Sequence, residues 1–147
     1  MKFIETKLQY FMRKNDYNHY YYIRIELDHP SIKPEQITQA LGLEPNHQYS
    51  KSDSAGKVKH YWNYRHCTEG KRIFSIEVED ILDWLIENKK IFIDNFISTQ
   101  GNFRIIVELP GKVNIGCTFS KTLFKKTLDL DIMIGIAVLS SLKNSYQ

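Results

Sequence analysis

Between Lys59 and Cys67 the sequence reads KHYWNYRHC, placing His60, His66, Arg65, Cys67, Tyr61, Tyr64 and Trp62 within nine residues. Side chains of these types serve as metal ligands, as thiol–imidazole pairs, or as aromatic and basic surface. Their spacing decides among these. In a strand, residues two apart share a face and each residue advances about 3.3 Å, so His60 and His66 lie roughly 20 Å apart on one face. Zinc needs its ligands at about 2.0–2.3 Å, so the two histidines cannot share one ion on a straight strand. His66 and Cys67 are adjacent and point to opposite faces. No C-x-x-C or H-E-x-x-H spacing occurs, and the expectation is no metal and no cofactor.

Nucleophilic catalysis would need Cys67 next to a base such as His60 or His19. A cysteine in a strand more commonly acts as a small buried hydrophobe. No G-x-S-x-G, P-loop or G-x-G-x-x-G is present. Asp80, Asp83 and Glu87 fall at helical spacing, and the plain reading is a solvated acidic side with Glu87 near Lys90. The sequence thus gives no catalytic residues, and a non-enzymatic role is expected.

Two binding readings remain. A sheet can stack nucleic-acid bases on aromatics, here Tyr61, Trp62, Tyr64 and Tyr20–Tyr22, with Lys57, Lys59, Arg65, Lys121, Lys125 and Lys126 supplying charge. The RNP1 pattern is missing, and the net charge is only +3, so this reading comes second. Protein binding asks for Tyr, Trp and Arg anchors, which concentrate in the strand at 59–67. The candidate partner-binding residues are Tyr61, Arg65, Asn63, Trp62 and Tyr64. Alternation places Trp62 with Tyr64 and Tyr61 with Asn63 and Arg65. We expect the Trp62–Tyr64 face in the core and the Tyr61–Arg65 face toward a partner.

The elements that must position this strand follow from periodicity. Ile4, Leu8, Phe11 and Met12 suggest a short helix in an N-terminal extension over residues 1–16. Alternation of Tyr21, Ile23, Ile25 and Leu27 marks a strand, and a helix runs from Pro34 to Leu41 with Gly42 as terminator. EPNHQYSKSDSAGK reads as a long exposed loop. RIFSIE reads as a short extended piece before a long helix whose apolar face includes Val78, Leu82, Leu85 and Phe96, ended by Gly101. NFRIIVELP is a strand, KTLFKKTLDL a helix and DIMIGIAVLS a final strand. The order is (α)βαβαβαβ.

The segments from Arg24 and Arg104 also resemble each other. Ile32, Ile37, Leu41 and Leu43 align with Phe119, Phe124, Leu128 and Leu130. In each, the first pair has hydrophobic-staple spacing, with Ser120 a good N-cap and Lys33 a poor one.

The expected fold is α+β: a two-layer sandwich with a ferredoxin-like, mainly four-stranded sheet and helices on one face. A chain of 147 residues fits a single domain over 1–147. Two cysteines, no apolar signal core and no apolar run of membrane-spanning length point to a cytoplasmic protein with no membrane partner.

IRIEL, then PEQITQALGLEP at Pro34–Pro45, then a polar loop with Lys51, Asp53 and Gly56, then Trp62 on an aromatic strand, resemble the bacterial domain-of-unknown-function family 4279. The resemblance spans about Tyr20 to Val138 and carries no catalytic motif. It implies a small bacterial protein and, by association, an immunity protein that neutralises a cognate protein toxin by stoichiometric binding. The mildly basic balance slightly disfavours a nuclease as that toxin, because inhibitors of nucleases are often acidic, and the toxin's chemistry stays open.

Overall fold

The computed structural model describes residues 21–67, 73–111 and 117–139, with Cys67 placed by its backbone only. The expected N-terminal helix, the rest of the 1–16 extension and most of the GKVNIGC loop lie outside the described residues.

Strand β1 spans Tyr22–His29 and strictly alternates buried and half-buried residues up to Leu27. Helix α1, Pro34–Leu41, has Pro34 at its first position, where a missing N–H costs nothing. Gln36 Oε1 accepts the Lys33 N–H at 2.9 Å, which offsets the lack of a capping side chain on Lys33. Gly42 closes the helix in the left-handed region, φ 70°, its N–H reaching Thr38 O at 2.8 Å.

The expected loop after α1 contains a strand. β2, His47–Ser52, pairs antiparallel with β3, Val58–Cys67. Asp53 shapes the turn between them: its Oδ1 accepts the N–H groups of Ala55 and Lys57 at 2.9 Å each, and Gly56 supplies φ 79°.

Helix α2 runs from Phe74 to Ser98, so the expected extended piece at RIFSIE is already helical from Phe74. Phe74, Val78, Leu82 and Leu85 are buried along one stripe, and that tertiary burial outweighs the β-branched start at Ile73. The helix ends at Ser98, not at Gly101. Gly101 instead lets the chain fold back on Phe96, since a Cβ there would fall 2.4 Å from both the Phe96 carbonyl and its ring.

Strand β4 spans Asn102–Pro110, helix α3 Lys121–Leu130 and strand β5 Met133–Leu139. Ser120 Oγ accepts the Leu123 N–H at 3.0 Å, and the Phe119 and Phe124 rings meet edge-on at 6.0 Å, so this cap and staple form as read. The repeat does not extend to packing. α1 buries Pro34, Ile37 and Leu41, whereas α3 buries Leu123, Thr127 and Leu130 and exposes the aligned Phe124 and Leu128. The two helices are rotated by one residue against their sheet.

The fold is α+β, with three helices among the described residues and a mixed five-stranded sheet in the order β2-β3-β1-β4-β5. The sheet has five strands, not the expected four. β1 pairs antiparallel with β3 and β4, while β5 joins β4 in parallel. One core holds Ile23, Ile25, Leu27, Trp62, Phe103, Ile105 and Val107 from the sheet against Ile37, Leu82, Phe96 and Leu123 from the helices. Each such side chain contributes about 1.5–3 kcal/mol on burial.

His29 ties three elements together at the edge of that core. Its Nδ1 accepts the N–H groups of Ser31 and Ile32 at 3.0 and 2.8 Å. The ring proton therefore sits on Nε2, which donates to Thr99 Oγ1 at 2.9 Å, and Thr99 donates on to Asn95 O at 2.7 Å. Burial lowers the imidazole pKa below its ordinary 6.5; a Phe96 backbone hydrogen bond and Asp28 oppose that shift, and His60 adds to it.

Candidate protein-binding face

The register of β1, β3 and β4 fixes which side chains share the sheet face away from the helices. Arg24 lies opposite Arg65 and Ile106, Glu26 opposite Asn63 and Arg104, and Asp28 opposite Tyr61 and Asn102. Tyr22 lies opposite Glu108, and β2 adds Tyr49 opposite Tyr61 and Lys51 opposite Lys59.

Seven of these side chains form one unbroken chain of alternating charge. Arg65 pairs with Glu108 Oε2, and Arg24 pairs with Glu108 Oε1 at 2.6 Å. Arg24 Nε lies 2.8 Å from Glu26 Oε1, in a geometry that makes an ion pair without an aligned hydrogen bond. Glu26 and Asp28 both meet Arg104 at 3.3 Å, and Asp28 meets Lys59 at 2.7 Å. Asn102 donates to Asp28 at 2.8 Å. Among the described residues the sequence Arg65, Glu108, Arg24, Glu26, Arg104, Asp28, Lys59 begins and ends on a cation, so four positive charges enclose three negative ones.

Burial explains why the chain is continuous. The Glu108 and Asp28 side chains are only 1% and 4% exposed, and buried carboxylates persist when paired and hydrogen-bonded. The cations remain more exposed, from Arg24 at 30% to Lys59 at 43%. Arg65 also stacks over the Tyr22 ring at 4.0 Å.

At the β2 side of this face the Tyr49 and Tyr61 rings stack at 4.7 Å with planes 15° apart. Next to them lies a cleft of about 450 Å³ bearing Lys51, Lys57, Lys59, Asp53 and Tyr61. Lys51 and Lys59 are direct cross-strand neighbours, a like-charge pairing that weakens a sheet. Lys59 is relieved by Asp28. Among the described residues, no acidic partner of Lys51 or Lys57 is found within ion-pair distance.

The five candidate residues divide between the two faces. Tyr61, Asn63 and Arg65 lie on the open face. Trp62 is 1% exposed in the core and donates its indole N–H to Thr38 Oγ1 at 2.9 Å, so it offers no surface to a partner. Tyr64 is half-buried on the helix side, lining an apolar recess of about 230 Å³ with Ile25, Leu43, Ile81 and Trp84. Arg65 reaches Glu108 and so is a pinned charge rather than a free one.

Sequence reading missed Tyr49, which stacks on Tyr61, and the carboxylates Glu26, Asp28 and Glu108. Their alternation in IRIELD and IIVELP was visible, but their partners depend on strand register.

The chemical alternatives can be placed as well. His60 and His66 both lie on β3's helix face; His60 Nδ1 is 2.6 Å from Ser50 Oγ. Cys67 falls opposite Tyr22 by register. Among the described residues no group of three His, Cys, Asp or Glu is placed to hold a metal ion.

Lys126 meets Asp83 at 2.6 Å and Glu79 at 3.0 Å, joining α3 to α2 on the helix side, away from Tyr61. Those two contacts, the Asp83 hydrogen bond foremost, hold its pKa above 10.5 against partial desolvation. Lys90 pairs with Asp94 at 2.8 Å, not with Glu87. Among the described residues no helix is long and apolar enough to cross a membrane. No family model, curated protein or solved structure matches this chain.

Proposed function

We propose that this chain is a non-catalytic protein-binding domain. In the specific form that the family resemblance implies, it is a cytoplasmic immunity protein that neutralises a cognate toxin by stoichiometric binding. The supporting observation is the open sheet face. A lattice of four cations and three anions is spread over three strands, flanked by the stacked Tyr49 and Tyr61. Pre-ordered charges steer encounter and select a complementary partner, while aromatic rings supply contact area at low entropic cost. The finer architecture belongs to the same proposal. β1–α1–β2–β3–α2–β4 forms a ferredoxin-like split βαβ unit in a two-layer sandwich, and α3–β5 extends its edge.

The test is co-expression with the toxin domain encoded by the adjacent gene, followed by calorimetry of the pair. A one-to-one complex weakened by Tyr61→Ala supports the reading. Failure of the pair to bind overturns the immunity assignment.

Nucleic-acid binding is the second reading, favoured by Lys51, Lys57 and Lys59 beside the tyrosine stack. It requires affinity for single-stranded oligonucleotides that falls steeply with salt.

A further inference from the structure

The two edges of the sheet are built differently. β2 exposes all six of its residues, HQYSKS, which are polar throughout apart from the Tyr49 ring and include Lys51. Polar and lysine-bearing edges resist pairing with another chain. β5, MIGIAVL, has no charge, no proline and no polar side chain. Among the described strands its only partner is β4. Ile136 and Val138 are 52% and 66% exposed on its helix face, and Met133 is 51% exposed on the open face.

The order of residues in β5 is chemically palindromic about Ile136. In an antiparallel pairing of two copies centred there, Met133 meets Leu139, Ile134 meets Val138, Gly135 meets Ala137, and Ile136 meets its own counterpart. Large faces large, β-branched faces β-branched and small faces small, and the pairs respect the two faces set by the β4 register. A twofold interface must be self-complementary in this sense.

β5 carries no charged residue, so no like charges meet across the paired edges. We infer that β5 is a homodimerisation strand: two copies pair antiparallel through their β5 edges, with the twofold axis at Ile136, joining two five-stranded sheets into one. This goes beyond the proposed partner face, which is the side of the sheet away from the helices, whereas the inferred contact is the free edge of β5.

The test uses the full chain in sedimentation equilibrium, alone and as Ile136→Lys and Ile136→Glu variants. The expected result is a dimer for the unsubstituted chain and a monomer for each variant. Each variant brings two like charges into direct opposition on the axis. Mixing the Lys and Glu variants is expected to restore a dimer with one copy of each. A variant that merely failed to fold could not be rescued by mixing, and circular dichroism checks the fold of each alone. A monomeric unsubstituted chain at high micromolar concentration overturns the inference. So does a dimer that either variant leaves intact.

Discussion

Arg65 on β3 reaches across β1 to Glu108 on β4, so two strands that are not neighbours are joined over the back of the strand between them. Arg65 also stands directly opposite Arg24, and Glu108 holds one arginine on each oxygen. Without that carboxylate, two guanidinium groups face each other across a sheet.

Glu108→Gln is therefore expected to destabilise the protein by about 2–3 kcal/mol, below the range for fully buried pairs because both arginines are part-exposed. Urea unfolding measures it. The loss should shrink in the double variant with Arg65→Met, which removes one of the opposed cations.

His29 makes stability depend on pH. Its folded pKa lies below the ordinary 6.5, so near neutral pH both folded and unfolded imidazoles are uncharged and no stability is lost. As pH falls below 6.5 the unfolded chain takes up a proton that the folded chain refuses. Stability then declines until the folded pKa is reached. Denaturation midpoints at pH 7.5 and 5.5 should differ in this direction. His29→Gln should flatten that slope and cost about 1–3 kcal/mol at pH 7.5 by leaving the Ser31 and Ile32 N–H groups without their acceptor.

Gly101→Ala is expected to cost about 1–3 kcal/mol, since the added methyl overlaps the Phe96 carbonyl and ring. Thermal unfolding checks it. Gly135→Ala is the contrast: its nearest heavy atom, Ile106 Cγ1, would be at 3.7 Å, and the folded chain should tolerate the change.

Tyr61→Ala is expected to weaken the cognate partner by about tenfold or more while moving stability by less than about 1 kcal/mol. Trp62→Phe should do the reverse, lowering stability through the lost Thr38 hydrogen bond and leaving partner affinity largely intact. Calorimetric titration beside urea unfolding separates the two.

The two-sidedness of β3 was legible because alternation alone sorts Trp62 from Tyr61. The helices at Pro34–Leu41 and Lys121–Leu130 were legible from Pro34, Gly42 and Ser120. β2 was not, because a strand exposed at every position has no hydrophobic period to detect. The start of α2 was missed because Ile73 and Phe74 look β-like locally, and the packing of Phe74 against Tyr21 and Phe119 is a tertiary fact. The ion chain was beyond reach for a related reason. Arg65 and Glu108 are 43 residues apart, and only the placement of β1 between their strands brings them together.

The central position of β1 also has a consequence for biosynthesis. One of its edges can pair as soon as β3 has emerged, but the other stays bare until β4 is made. β4 ends 43 residues after β3, from Cys67 to Pro110, which at about 5–20 residues per second is roughly 2–9 s of translation. During that interval Ile23, Ile25 and Leu27 present a half-formed sheet to the crowded cell. The long apolar face of α2, synthesised in the same interval, joins the already made α1 in shielding them.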